Sequence, residues 1–427
     1  MTAAVSDPAP RAREVSTGIV VLLALAVFIN YVDRGNLATA GPLLKDALHL
    51  SNSQMGVLLS AFFWAYAPGQ LPAGWLAQRL NVRYVLAVGL ALWSFSTVLT
   101  GFVSTFAAML MLRLLLGAGE SVFHPCNAKV LAEQASEHRR GVANGMISAG
   151  QSLGSTFGTL FGGLLMAALG WRWVFIVAGL LSLVWLAPWL WSTRGNRVRA
   201  PVLHGSRQPV PYLAIFKRRA LWASSLGSFT CYYGYYFVLT WLPLYLVKAR
   251  GLSVVHMAQV AALVFCMHSL AALSCGWISD RWIKAGGSVS LVRKSILITG
   301  TLGAGIATLF CTRVGLTACV ALLFTAAWCL GMQNPQVFAV AQRLGGSRAA
   351  GKWMAVQNML GNVAGIAAPL ITGITVDRSG GYGWAFAITA AIAGLGVFAW
   401  GLALPPVETV RWADELGTPA APLPAAT

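Results

Sequence analysis

Acidic side chains are scarce in this chain: 12 Asp and Glu among 427 residues, against 30 Lys and Arg, with charged residues of both signs at only 10%. So few charges cannot carry a composition that is 57% hydrophobic, with a mean hydropathy of +0.69, into water. A soluble globular protein is excluded and a polytopic membrane protein remains. Cysteine is sparse too. The seven thiols fall in or beside apolar runs without the paired spacing zinc needs, so no metal or other cofactor is expected and they read as free, space-filling groups. No cleavage pattern follows the polar, Pro-bearing first seventeen residues, so the first apolar run reads as a retained helix.

What the chain has in abundance is apolar length. A span needs about 20 such residues to cross the hydrocarbon layer. Windows of that size fall near 18–38, 55–77, 84–104, 106–129, 141–166, 172–191, 220–247, 254–279, 293–312, 315–340, 351–375 and 382–404. The expectation is an all-α membrane protein of twelve transmembrane helices. The net charge of +18 would suit nucleic acid if it lay on one soluble face, but the basic residues are scattered through short loops, so the bilayer and not nucleic acid is the expected surroundings. One set of loops carries Arg11, Arg13, Arg79, Arg83, Arg139, Arg140, the Arg-rich stretch from Arg194 to Arg219, Arg281, Lys284, Arg343, Arg348 and Lys352, together with Arg293 and Lys294. The opposite set carries chiefly Lys45, Arg172, Lys248, Arg250, Arg313 and Arg378. The positive-inside rule then places both termini in the cytoplasm, in a multi-pass protein of the inner (plasma) membrane.

The one long polar loop, 192–219, follows the sixth span and divides the chain into six plus six. The expected organisation is a cytoplasmic tail (1–17), a six-helix bundle (18–191), the cytoplasmic loop (192–219), a second six-helix bundle (220–404) and a cytoplasmic tail (405–427). The halves echo each other, since GWLAQRLNVR (74–83) follows span two and GWISDRWIKAGG (276–287) follows span eight. Such repeats mark transporters, whose sites lie near the midplane at the repeat interface. Interfacial anchoring by Gly-Trp plus Arg is the alternative reading. Both segments resemble the loop motif G-x-L-x-D-R-x-G-R of the major facilitator superfamily, which implies a gating role for Gly74, Arg79, Arg83, Gly276, Asp280 and Arg281. The first copy departs from the motif, with Gln78 in place of the acid and Asn81 in place of a glycine.

Only two acids fall inside the spans, Asp33 and Glu120, and Arg34 and Arg113 are comparably deep. A charge at the centre of a membrane helix costs at least about 2.5–3.5 kcal/mol, so these four must face one another or a wet cavity. In RLLLGAGESVFHPCN (113–127), Arg113, Gly117, Glu120 and His124 form one helical stripe, and Pro125 is expected to bend or loosen the span. A static ion pair that fixes helix register is the bland alternative. Asn30, Tyr31, Tyr66, Gln151 and Asn358, also inside apolar spans, exceed what a register lock needs.

The segments NYVDRGNLATAGP, RLLLGAGESVFHPCN and YYGYYFVLTWLPLYL (232–246) together resemble the anion:cation symporters of the major facilitator superfamily, proton-coupled carriers of galactonate, glucarate, hexuronates, phthalate and related carboxylates. The resemblance implies that Asp33 and Glu120 bind the protons, that Arg34 faces the substrate carboxylate and that Arg113 partners an acid. It also implies that Tyr31, Tyr66, Gln151 and Asn358 line the substrate. In span ten the chain offers NPQVF, with Pro335 and Phe338 where sugar-acid members have a hydroxyl and an aromatic; Asn334 or Gln336 would replace the hydroxyl. Of the tyrosines at 232–236 within span seven, about half can face one side of a helix, Tyr232 and Tyr236 among them.

The expected function is therefore import of a small organic anion, a sugar acid or related carboxylate, by proton symport with alternating access, in a monomer that is not an enzyme. Phthalate-like aromatic acids are the alternative. An organophosphate antiporter would want paired arginines in both halves, and the interiors of spans seven to twelve offer none. His124 and Cys126 lack the partners of a hydrolytic or metal site.

Overall fold

The computed structural model describes residues 17–134, 137–194, 210–410 and 412. Among them every regular element is helical. In chain order these are α1 (Thr17–Ala47), α2 (Asn52–Arg79), α3 (Val82–Thr100), α4 (Phe106–Glu120), α5 (Phe123–Gln134), α6 (Glu137–Leu169), α7 (Trp171–Val184), α8 (Leu186–Ser192), α9 (Tyr212–Phe216), α10 (Arg219–Leu244), α11 (Val254–Lys284), α12 (Val289–Phe310), α13 (Leu316–Ser379) and α14 (Gly383–Phe398). Short π-helical turns extend α10 over Tyr245–Ala249 and α14 over Ala399–Ala403.

Ten stretches of the described residues are long and apolar enough to cross a membrane. The remaining two expected windows fall on α2 and α10, of 28 and 26 residues. Both are long enough to span, but Pro68, Pro72 and Gln70 in α2, and the serines, threonines and tyrosines of α10, dilute their apolar character.

Two interruptions have local causes. The fourth span is split into α4 and α5 at Ser121–Val122, one turn before Pro125. A proline at 125 has no N–H for the Ser121 carbonyl and its ring crowds that turn; the ladder stops there and resumes with the Cys126 N–H on the Val122 carbonyl, 3.1 Å. In α13 the break falls at Gly346, whose φ of 59° is one that side-chain-bearing residues rarely adopt. The stretch before it, Leu316–Gly346, and the one after, Ala349–Ser379, serve as separate spans.

The chain divides into two compact units. One holds the described residues of Met1–Leu50, Ala61–Leu203 and Leu252–Ala262; the other holds those of Ser51–Ser60, His204–Gly251 and Leu263–Thr427. The division departs from two contiguous halves by two short segments. In the second unit, the start of α2 is tied to the end of α13, where the Asp377 carboxylate accepts from the Asn52 and Ser53 backbone N–H groups at 3.0 and 2.6 Å. In the first unit, Gly163 of α6 lies against Ala258 of α11.

Within the first unit, α6 carries Gly150, Gly154 and Gly158 at four-residue intervals. A Cβ on these would strike the Ala24 carbonyl, the Phe28 carbonyl and the Val32 Cα of α1. Small residues on one stripe let two membrane helices approach backbone to backbone. Gly117 of α4 does the same against the Phe62 carbonyl of α2. These contacts fix α1 and α4, the helices that carry the charges.

Candidate functional site

The fully or nearly fully buried polar residues of α1 are Asn30, Asp33, Arg34, Asn36 and Thr39; those of α4 are Arg113 and Glu120. The Arg34 Nε donates to Glu120 Oε2 at 2.8 Å, with 5% and 0% of the two side chains exposed. The Asn36 amide donates to Asp33 Oδ1 at 3.2 Å. Three rings surround the Arg34 guanidinium, with Tyr31, Phe62 and Tyr66 centroids 4.8, 5.1 and 4.4 Å away. Phe62 and Tyr66 stack on each other at 5.0 Å. A desolvated cation over ring faces gains from each quadrupole, by about 2 kcal/mol or more in favourable cases.

Arg113 lies 5.7 Å from the Phe62 centroid and close enough to Glu120 and Asp33 to feel both charges. Its Nε makes no hydrogen bond among the described residues, and neither do Asp33 Oδ2 and Glu120 Oε1. One oxygen of each buried carboxyl is thus left where a proton can sit. The cluster holds two cations and two acids. With both acids ionised it is neutral, and with both protonated it carries two positive charges in a medium that screens weakly. Its electrostatic response to protons is therefore large by construction.

The second unit contains a polar set with no buried charge among the described residues. Tyr232 donates to Asn358 Oδ1 at 3.1 Å, and Tyr236 donates to Asn362 Oδ1 at 2.6 Å. The Asn362 amide in turn donates to the Asn358 carbonyl at 2.8 Å. Next to these, Gln357 donates to Ser228 Oγ at 2.9 Å, and Gln333 accepts from Cys231 and Thr301. Asn362, Gln357 and Gln333 are not among the residues expected from the sequence. The signal was present in a weak form, since Tyr232 and Tyr236 are four apart and so are Asn358 and Asn362, which puts each pair on one helix face.

Other expected residues are placed as follows. Gln151 is half-buried on α6, and Phe338 is 38% exposed. Gln336 is fully buried, with its amide oxygen taken by Arg293 at 2.6 Å and its nitrogen facing the Cys275 carbonyl. Arg293 also reaches Asp280, at 3.4 Å. Arg293 is the fifth residue of α12, near the end that faces the Asp280 loop motif, with 15% of its side chain exposed.

The two loop motifs share a local geometry. Arg79 lies over Trp75 at 4.8 Å and Arg281 over Trp277 at 4.3 Å, the same four-residue pairing in each half. Arg83 donates to the Leu190 carbonyl at 2.7 Å, and Asn81, standing where the motif has glycine, caps α3 by accepting from the Arg83 N–H at 3.0 Å. Gly74 has open space where a side chain would be, and Gly276 lies beside Pro335. The side chain of Gln78 lies outside the described residues.

Residues 23–292 match the family model described as Major Facilitator Superfamily. Over 417 residues, 93% of this chain and 95% of the relative, the chain is 31% identical to a Cupriavidus necator protein named "Probable sulfoacetate transporter SauU". It is 27% identical over 406 residues to the "Probable L-galactonate transporter" of Escherichia coli, covering 91% of this chain and 89% of that one. Similarity to the "Probable galactarate/D-glucarate transporter GudP" of Bacillus subtilis is 29% over 432 residues, 94% and 95% of the two chains. Among solved structures, a bacterial homologue of the human lysosomal transporter Spinster, inward-facing and occupied, superposes with a TM-score of 0.77 at 18% identity, over 90% of this chain and 96% of that one. The nucleoside transporter NupG gives 0.74 at 13% identity, over 91% and 100%; at such identities the likeness speaks to the fold alone. The chain belongs to the Major Facilitator Superfamily and, within it, to the anion:cation symporters, which are transporters and not enzymes.

Proposed function

We propose that this chain imports a small organic anion, a sugar acid or related carboxylate, together with protons and by alternating access, in an inner (plasma) membrane with both termini cytoplasmic. The observation that carries the reading is the buried Arg34–Glu120 hydrogen bond inside the cradle of Tyr31, Phe62 and Tyr66. An arriving carboxylate and Glu120 want the same guanidinium. When Glu120 is ionised it holds Arg34 by a charge-assisted bond; when protonated it loses most of that hold, and the planar fork of Arg34 is released to an external carboxylate. Proton and anion therefore enter together. Asp33, next in sequence to Arg34, adds a second place for a proton in the same field. The names of the relatives, sugar acids and a sulfonated acid, agree with a small anion as cargo.

The test is a thermal-shift screen of the purified protein against sugar acids, dicarboxylates, sulfoacetate and aromatic acids, followed by uptake of the hit into proteoliposomes. A ligand that binds only the folded state raises its apparent stability. Accumulation should rise when the outside is acidified; accumulation indifferent to the pH gradient rejects proton symport. A second reading, that the cargo carries two negative charges, is favoured by Arg113, a buried cation whose Nε is without a hydrogen bond among the described residues. Preference for dianions over monocarboxylates in the same screen decides between them.

A further inference from the structure

On the sugar-acid reading above, with Tyr232, Tyr236 and Asn358 lining the cargo, we propose that Trp412, in the segment beyond the last span, is a positioning residue for those contacts. The three belong to a ladder between two helices of the second unit. Ser228, Tyr232 and Tyr236 lie at four-residue intervals on α10, and Gln357, Asn358 and Asn362 of α13 meet them in turn at 2.9, 3.1 and 2.6 Å. The first rung is shut in, with Ser228 and Gln357 at most 2% exposed, whereas Tyr232 and Asn358 are half-buried. The closed rung holds the frame, and the more open one keeps surface for a ligand.

A chain of contacts runs from the closed rung to Trp412. Both ends of the Gln357 amide are engaged: its nitrogen also donates to the Val337 carbonyl at 3.3 Å, and its oxygen accepts from the Trp353 indole at 3.3 Å. The Trp353 ring, fully buried one turn earlier on α13, meets the Trp412 ring at a steep angle with centroids 6.3 Å apart. The Arg218 guanidinium lies 5.4 Å from the Trp412 ring, and Arg218 directly precedes α10. One side chain therefore touches both ladder helices where they begin, α10 at Arg218 and the second span of α13 at Trp353.

The segment that carries Trp412 is fastened along its length. The Val407 N–H donates to Ser290 Oγ at 3.0 Å, the Val410 N–H to the Leu344 carbonyl at 3.0 Å, and the Trp412 indole to the Gly345 carbonyl at 3.3 Å. The last two acceptors come just before the Gly346 break, where a helix end leaves carbonyls in need of outside donors. Leu404, Val407 and Trp412 are at most 5% exposed. Contacts to a bound molecule must be held within about 0.5 Å by neighbours whose own rotamers are locked, and Trp412 supplies that lock from outside the spans.

The test is calorimetric titration of the full-length protein with gluconate, galactonate and glucarate. Trp412→Leu and Trp412→Phe both keep an apolar side chain in the buried site, but only phenylalanine keeps a ring against Trp353 and Arg218. Trp412→Leu should bind the sugar acids about tenfold more weakly, the factor that one or two lost hydrogen bonds carry, and Trp412→Phe should stay within about twofold of wild type. Equal affinities in the two variants would overturn the proposal, since burial alone would then suffice. Asn358→Ala should lose at least as much as Trp412→Leu, and the double variant should lose no more than Asn358→Ala alone; a further tenfold loss in the double variant would place the action of Trp412 elsewhere. A wild-type protein that binds none of the three acids overturns the sugar-acid reading and the role of Trp412 together. A wild-type protein that binds them, with Trp412→Leu its equal, removes Trp412 alone.

Discussion

The two units bury polar groups in different ways. The first holds Asp33, Arg34, Arg113 and Glu120, all four ionisable and nearly inaccessible; the second holds Gln333, Gln357, Asn362 and, on α10, Tyr233 and Tyr236, neutral groups throughout. Neutral amides satisfied by neighbours carry only a modest net energy each. A buried ion pair is different: taking one partner away strands a charge and costs about 3–5 kcal/mol. The first unit is therefore the one in which neutralising or removing a single partner costs most. The second holds directional hydrogen bonds between neutral groups, so changes there leave the charge balance untouched.

Breaking the comparison on its charged side should give the largest effect. Glu120→Gln cannot release a proton, so vesicles bearing it should exchange labelled for unlabelled substrate yet lose accumulation driven by an acid exterior altogether; wild-type accumulation in the variant would return the pair to a static register lock. Arg34→Lys keeps the charge but loses the planar fork and its fit to three rings, so affinity should fall about 10- to 100-fold, which is about 1.4–2.7 kcal/mol. Calorimetry with the screened ligand measures it, and undiminished affinity removes Arg34 from the binding role. Gly154→Leu should destabilise by about 1–3 kcal/mol through overpacking against Phe28 and Tyr31, seen as a lowered melting temperature with the charged residues untouched. The smallest effect belongs to the neutral unit: a double-mutant cycle of Tyr236→Phe and Asn362→Ala should give a coupling of about 0.6–1.5 kcal/mol in thermal unfolding. A coupling as large as that of a charged pair would erase the contrast between the units.

Much of this was legible in the amino-acid sequence. The windows are set by bilayer thickness and hydropathy, which depend on composition alone, and each is occupied by a helix. The break before Pro125 follows from one missing N–H. Which acid pairs with which arginine was not legible: Asp33 and Arg34 are neighbours, and only the rotation of α1 relative to α4 selects Arg34 with Glu120. Gln336 illustrates the same gap, since its capture by Arg293 joins α12 to α13 and hydropathy does not specify how those two helices face each other. Gln357 was missed because a lone amide in an apolar helix has no distinguishing spacing until its partner helix is known, and Asn362 because its four-residue spacing from Asn358 gains meaning only beside the matching spacing of Tyr232 and Tyr236.

The glycines of α6 bear on how such a protein could change its diet. Because Gly150, Gly154 and Gly158 meet α1 through main-chain atoms, the place of α1 does not depend on which side chains surround Arg34. Tyr31, Phe62 and Tyr66 can then be exchanged for other linings while the charges stay where they are. A frame held by main-chain contacts is in this sense separable from the rings around Arg34, and substitutions in those rings leave the frame's own contacts in place.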